Sequence, residues 1–207
     1  GPDSVNCLYS PWGEGDLRYA ATGDCSLEFS PTDFTQINLQ VNRLMVRQAV
    51  EWLEPRAQDE ILDLFCGLGN FTLALARSCK AVAGVEGSED MVRRAAGNAR
   101  RNQIDNATFH VANLHDEAVL QGKPGPQWMR KFDALLLDPP RTGAEEVCRA
   151  IAALAPRRIV YVSCNPATLA RDAGLLVRAG YRLRRAGVMD MFPHTTHVES
   201  MALFEKG

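Results

Sequence analysis

The side chains best suited to covalent chemistry stand in two stretches near the end of the chain. One is Val162-Ser163-Cys164-Asn165-Pro166, and the other is Met191-Phe192-Pro193-His194-Thr195-Thr196-His197-Val198-Glu199-Ser200. Cys164 closes the apolar run Arg158-Ile159-Val160-Tyr161-Val162, and Glu199 stands near the start of another. An ionised thiol is a nucleophile and a carboxylate is a proton acceptor, so the two could act on one substrate if the fold brings them together. Taken alone, a cysteine at a strand end is as often packed as reactive, and a single glutamate is more often solvated or ion-paired.

The elements that must position them alternate. Apolar or β-rich runs at Glu60–Leu64, Ala81–Glu86, Ala107–Val111, Phe132–Asp138 and Arg158–Ser163 predict strands, followed by Arg182–Met189 and His197–Phe204. Helical spacing predicts helices near Phe71–Cys79, Glu89–Asn102, Ala144–Ala153 and Ala167–Ala179. A further helix starts from Asn38, with Val41, Leu44, Met45, Ala49 and Trp52 on its buried face. Strand–helix alternation means an α/β fold with an open, largely parallel sheet. The last two strands follow each other with no helix between, and a short connection permits only antiparallel pairing. The sheet should therefore end in an antiparallel hairpin. Ahead of it, Leu17–Ala20 and Ser26–Phe29 could pair across Thr22-Gly23-Asp24, and Gly122–Gln127 reads as a surface loop.

Parallel α/β sheets bind ligands outside the carboxyl ends of their strands. Asp63-Leu64-Phe65-Cys66-Gly67-Leu68-Gly69-Asn70 closes the first strand of the alternating region and opens a helix, so its glycines allow a ligand close to the backbone. Glu86 ends the next strand, 23 positions after Asp63, where a carboxylate can accept both hydroxyls of a ribose. A dinucleotide would prefer G-x-G-x-x-G, but position 72 is Thr, and Asp63 would lie near its pyrophosphate. S-adenosyl-L-methionine has no phosphate and carries a cationic sulfonium and an amino group, so acidic surroundings suit it better. Loop capping by Asp63 and a solvated Glu86 are the plainer readings of each residue alone.

Phe132–Asp138 ends in Asp138-Pro139-Pro140-Arg141. Asp138 and Cys164 both end strands, and Glu199 begins a strand running the other way, so all three should meet at one edge. Amino-group methyltransferases also use Asp-Pro-Pro, usually with an aromatic next, but they need no nucleophile. Carbon 5 of a uracil does need one. A thiolate adding to carbon 6 makes carbon 5 able to attack a sulfonium methyl, and a base then removes the carbon 5 proton. His194 and His197 make an HxxH pair without further ligand candidates, so no metal site is expected, and both are read as positioning groups.

Composition limits the remaining classes. The 207 residues are 46% hydrophobic, enough for one full core, and 23 basic residues face 25 acidic ones, so the whole chain is no electrostatic trap for nucleic acid. Arg93, Arg94, Arg100 and Arg101 fit a solvated helix face opposite Met91, Val92, Ala95 and Ala99. No apolar run approaches the roughly 18 residues of a membrane span. With no signal peptide, a cytoplasmic protein is expected. The six cysteines, Cys7, Cys25, Cys66, Cys79, Cys148 and Cys164, form no CxxC pair and are expected as free thiols. Gly1-Pro2 looks like a protease scar, and residues 1–30 read as the remnant of a preceding domain, leaving residues 31–207 as the catalytic domain.

Four motifs resemble the RNA (uracil-5-)-methyltransferase family, over about Ser30 to Phe204. They are Ser30-Pro31-x-Asp33-Phe34-x-Gln36-x-Asn38, Asp63-Leu64-Phe65-Cys66-Gly67-x-Gly69-Asn70-Phe71, Ser163-Cys164-Asn165-Pro166-Ala167-Thr168-Leu169-Ala170-Arg171-Asp172 and Asp190-Met191-Phe192-Pro193-His194-Thr195-x-His197-x-Glu199-Ser200. The resemblance implies a Rossmann-like, S-adenosyl-L-methionine-dependent methyltransferase fold. It implies donor contacts from Gln36, Phe65, Asn70, Glu86, Asn113 and Asp138, with Cys164 as nucleophile and Glu199 as proton acceptor. The wording of the last two motifs is most similar to the branch that methylates carbon 5 of a uridine in 23S ribosomal RNA through a covalent cysteine adduct. That makes 23S rRNA the expected partner of a monomeric enzyme with no membrane association. The rivals are the same chemistry on tRNA or another rRNA uridine, and a donor- or RNA-binding assembly module without turnover. Members of this kind carry an N-terminal RNA-binding barrel and a cysteine-ligated iron–sulfur region, so a cluster is expected only in such a region, outside this sequence.

Overall fold

The computed structural model describes residues 17–22, 25–121 and 126–207. Gly1-Pro2, Cys7, the Gly23-Asp24 turn and most of the Gly122–Gln127 loop lie outside the described residues. The elements run β1 (Leu17–Ala20), β2 (Ser26–Phe29), α1 (Leu39–Leu53), β3 (Glu60–Leu64), α2 (Thr72–Ala76), β4 (Ala81–Glu86), α3 (Glu89–Arg101) and β5 (Ala107–Val111). They continue with α4 (Glu117–Gln121), β6 (Ala134–Leu137), α5 (Glu145–Leu154), β7 (Arg158–Ser163), α6 (Pro166–Arg178), β8 (Tyr181–Met189) and β9 (Glu199–Lys206).

β1 and β2 form an antiparallel hairpin, and the other seven strands form one sheet in the order β5-β4-β3-β6-β7-β9-β8. From β5 to β7 every neighbour is parallel, while β9 lies antiparallel between β7 and β8. Strand order reverses between β3 and β6. This is the largely parallel α/β sheet with a C-terminal antiparallel hairpin that the sequence pattern called for.

Alternate residues of the central strands feed two cores. Ile61, Val82, Leu136, Val160 and Leu203 pack with Met45, Val46, Ala49 and Leu53 of α1 and with Leu73 and Leu75 of α2. Leu62, Val85, Leu135, Leu137, Ile159, Tyr161 and Phe204 pack with Val147 and Ile151 of α5 and Leu176 of α6. Both faces of the parallel strands are thus covered, which explains their continuous apolar runs. The edge strand β8 is instead exposed along most of its length.

Helix starts follow local chemistry. Asn38, Ser88 and Asn165 cap α1, α3 and α6 by accepting backbone N–H bonds from Val41, Met91 and Ala167. α3 also carries Glu89 and Asp90 in its first turn and Arg100 and Arg101 in its last, which complements the helix dipole.

The expected face of α1 needs correction. Leu44 is 59% exposed, and the buried stripe is Asn42, Met45, Val46, Ala49 and Leu53. The helix can turn Asn42 inward because that amide finds a partner in Asn70. α2 is shorter than expected, starting one residue later at Thr72 and ending at Ala76 rather than Cys79, and the short α4 was not anticipated. Arg94 and Arg101 are not simply solvated: Arg94 pairs with Asp33 at 2.6 Å, and Arg101 pairs with Glu28.

Candidate active site

A cavity of about 680 Å³ opens outside the carboxyl ends of β3, β4 and β6, at the point where strand order reverses. Gln36, Phe65, Asn70, Glu86, Asn113, Asp138, Cys164 and Glu199 all line it. The residues expected to hold the donor and to do the chemistry therefore share one space, whereas Asp63 and His194 stand outside its lining.

The wall nearest β3 is the glycine loop. Gly67 and Gly69 adopt φ of 53° and 91°, and Phe65 adopts the left-handed region at 64°. A bulky residue rarely takes that conformation, which turns the Phe65 ring toward the cavity at a local energetic cost. That ring lies 5.5 Å from the ring of His115, tilted at 47°. Asn70 closes the loop and exchanges two side-chain hydrogen bonds with the buried Asn42.

Glu86 ends β4, and its carboxylate holds three loop amides. It accepts from Gly67 N–H at 3.2 Å, Gly87 N–H at 2.7 Å and Ser88 N–H at 3.1 Å. Asn113 lies just past β5, with Oδ1 accepting from the His115 N–H at 3.1 Å. The segment before α1 supplies Phe34, Thr35 and Gln36, and is pinned by the Ser30 N–H donating to Asp33 at 2.6 Å.

The far wall carries the candidate chemistry. Asp138 follows β6, Cys164 follows β7, and Glu199 opens β9. Ser163 pairs with Ser200 across β7 and β9, and the Ser200 hydroxyl donates to the Ser163 carbonyl at 3.0 Å. Asn165 joins the cysteine turn to the neighbouring loop, its Nδ2 donating to the Arg141 carbonyl at 3.1 Å. The Arg141 guanidinium reaches Nδ1 of His197, whose ring makes an edge contact with Phe192 at 5.9 Å.

The electrostatics of this wall are acidic. Burial pushes the Asp138 carboxyl well above its ordinary value, with further upward pressure from Glu199 and Asp63. Burial also raises Glu199, against the opposing pull of Arg141. The Cys164 thiol is raised first by burial and then by Glu199, while Arg141 beside it works in the opposite direction. Behind the glycine loop Asp63 is fully buried; burial pushes its carboxyl up to about 7 despite the Thr72 hydroxyl donating to it at 2.5 Å. Carboxyls crowded this way suit a cationic ligand and disfavour a pyrophosphate.

Several lining residues were not singled out from the sequence as site residues: Tyr19, Phe34, Met91, His115 and Arg141. Arg141 could have been found from its adjacency to Asp138-Pro139-Pro140, since that turn must face the ligand edge. Tyr19 carried no such signal. Its hairpin reaches the cavity because Asn98 of α3 and Asn102 at its C-terminal cap bond the backbone of Glu28 and Ser26. Of the His194–His197 pair, His197 lines the cavity, whereas His194 lies outside its lining. Among the described residues, no group of three or more His, Cys, Asp or Glu side chains is arranged to hold a metal ion. No helix among them is long and apolar enough to cross a membrane.

A family model described as tRNA (Uracil-5-)-methyltransferase matches residues 21–207. The chain is 56% identical over 207 residues to the 23S rRNA (uracil(1939)-C(5))-methyltransferase RlmD of Hahella chejuensis, covering 100% of this chain and 46% of that protein. It is 58% identical over 182 residues to the protein of the same name from Pseudomonas putida, covering 87% of this chain and 39% of that one. The chain therefore spans about half the length of these curated relatives, or somewhat less. Among solved structures, the Pyrococcus abyssi tRNA (uracil-54, C5)-methyltransferase in complex with S-adenosyl-L-homocysteine matches with a TM-score of 0.78 and 33% identity, over 93% of this chain and 45% of that one. M. jannaschii TYW2 in complex with AdoMet matches with a TM-score of 0.68 at 16% identity, over 98% of this chain and 90% of that one, which is a likeness of fold alone.

Proposed function

The chain belongs to the tRNA (uracil-5-)-methyltransferase family, and we propose that it forms the catalytic part of an enzyme that methylates carbon 5 of a uridine in 23S ribosomal RNA. The methyl donor in this reading is S-adenosyl-L-methionine, which supplies an electrophilic methyl on a cationic sulfonium. Glu86 accepts from the ribose hydroxyls. Gln36, Phe65, Asn70, Asn113 and Asp138 complete the donor pocket, and the excess of carboxyls there matches the donor's positive charge.

Cys164 and Glu199 then divide the work on the base. The Cys164 thiolate forms a bond to carbon 6 of the uracil, and the electron pair of the 5,6 double bond moves toward the carbonyl at carbon 4. Carbon 5 becomes nucleophilic and takes the methyl, while the electrons of the broken bond stay on sulfur as S-adenosyl-L-homocysteine leaves. Glu199 removes the remaining carbon 5 proton. The double bond reforms and the thiolate is expelled, restoring the enzyme. Uracil within a duplex cannot reach a recessed thiol, so the target must be unpaired or flipped out.

A single observation carries this reading. The nucleophile and base candidates line the same cavity as Glu86 and the glycine loop. Ribosomal rather than transfer RNA is favoured because the relatives at 56% and 58% identity described above are named for 23S rRNA.

The test is to incubate the protein with methyl-labelled donor and either 23S rRNA or tRNA, then map the product by mass spectrometry. Expected is 5-methyluridine in the ribosomal RNA. Label confined to tRNA would move the substrate. Donor binding with no label in either RNA would favour a module that binds without turnover.

A further inference from the structure

Asn42 is fully buried on the core-facing side of α1, where the surrounding pattern is apolar. It pairs with one side chain. Its Nδ2 donates to Asn70 Oδ1 at 3.0 Å, and Asn70 Nδ2 donates back to Asn42 Oδ1 at 2.9 Å. An amide offers two N–H donors and two carbonyl lone pairs. The reciprocal pair uses one of each on Asn70 and fixes the plane and rotamer of that side chain. It leaves the second N–H and the second lone pair for whatever occupies the cavity that Asn70 lines.

The pair also joins two walls of the cavity. α1 is the direct continuation of the segment carrying Phe34, Thr35 and Gln36, and Asn70 is the last residue of the glycine loop before Phe71 and α2. Leucine would fill the space at position 42 without burying a polar group, so packing alone does not explain an amide there. A buried amide is tolerable only when its bonds are made, and here they are made to a cavity residue.

We infer that Asn42 is a positioning residue for the methyl-donor pocket, acting through Asn70 by presenting that amide in a single orientation and holding α1 against the glycine loop. The inference rests on the proposed donor site.

A double-mutant cycle on S-adenosyl-L-homocysteine binding, read by calorimetry with thermal melts as folding controls, tests it. Asn42→Leu and Asn70→Ala should each weaken binding about tenfold, and the double variant should bind no more weakly than Asn70→Ala alone. The Michaelis constant for the donor should rise in Asn42→Leu while that for RNA stays unchanged, a split that general loosening of the core would not produce. If Asn42→Leu does not fold, Asn42→Asp serves in the cycle: it keeps the volume and accepts from Asn70 Nδ2, but when ionised it cannot donate to Oδ1. Its loss of affinity should likewise vanish in the Asn70→Ala background. Additive losses, or full affinity in a folded Asn42 variant, overturn the coupling. Failure of the unmodified protein to bind S-adenosyl-L-homocysteine overturns instead the donor site on which the inference rests.

Discussion

Cys164 and Glu199 are set opposite each other by the register of β7 and β9. Ser163 faces Ser200, and these strands are antiparallel, so the residue after the first and the residue before the second meet one step further out. The Ser200 hydroxyl on the Ser163 carbonyl pins that step. A one-residue slip would turn one of the two side chains to the other face of the sheet. The proximity has an electrostatic cost, because the Glu199 carboxylate disfavours ionisation of the Cys164 thiol, and Arg141 is the cation that offsets it.

That balance gives a pH signature. Burial and then Glu199 raise the Cys164 thiol, and Arg141 lowers it. Alkylation needs the thiolate, so iodoacetamide labelling of Cys164 should rise with pH to a midpoint above the ~8.5 of a free cysteine. Glu199→Gln removes a negative neighbour and should move the midpoint down. Arg141→Gln removes a positive one and should move it up. Peptide mass spectrometry separates Cys164 from the buried Cys25, Cys66 and Cys148. Shifts in the opposite directions would contradict the arrangement.

Glu86 has two duties that mutation should expose together. Its carboxylate already holds the Gly67, Gly87 and Ser88 amides, so its removal loosens the glycine loop as well as deleting the proposed acceptor for the ribose. Glu86→Ala should weaken S-adenosyl-L-homocysteine binding by about 1.5–3 kcal/mol, the usual loss for a hydrogen bond to a charged group. Calorimetry on the folded variant measures this, and unchanged affinity would place the adenosine elsewhere.

Much of this site was legible because the chemistry falls at chain positions that sheet geometry marks. Glu86, Asp138 and Cys164 each follow an apolar run, Asn70 closes a glycine loop, and parallel strands deliver such positions to one edge. Gln36 had no such marker, and Phe65 and Asn113 were also assigned only by family resemblance, although Asn113 does stand just past the end of β5. The role of the β1–β2 hairpin was hidden for a different reason. It is held by the amides of Asn98 and Asn102, some 70 residues away in the chain, and such contacts leave no periodic trace. The inward turn of α1 was hidden because Asn42 reads as polar until its partner Asn70 is known.

The loop carrying Arg141 should be sensitive at Gly143. This residue has φ of 83°, and an added Cβ would lie 2.6 Å from both Asp172 Oδ2 and Arg171 Nη2. Asp172 is fully buried and accepts from the Tyr161 hydroxyl at 2.6 Å and the Ala144 N–H at 2.7 Å. Gly143→Ala should therefore strain the backbone and disturb that network, destabilising the fold by about 1–3 kcal/mol. A thermal melt reads the loss. Because Arg141 sits two residues before Gly143, methyl transfer should fall more steeply than donor affinity. Unchanged stability would mean that the loop relaxes freely.

The two catalytic roles can be separated by what each variant traps. If Cys164 adds to the base, Cys164→Ala should abolish turnover and leave donor binding intact, since its side chain stands on the far wall from Glu86. If Glu199 removes only the carbon 5 proton, Glu199→Gln should still complete one addition and one methyl transfer. The thiol could not then leave, because its expulsion requires loss of that proton. Glu199→Gln should accumulate a covalent protein–RNA adduct that already carries the methyl, visible on a denaturing gel with methyl-labelled donor as a shifted, labelled band. Cys164→Ala and the double variant should show none. Normal turnover in Glu199→Gln would assign the base elsewhere and leave Glu199 a structural neighbour of the thiol. Activity in Cys164→Ala would rule out the covalent route and make an amino or hydroxyl acceptor the better reading of the cavity.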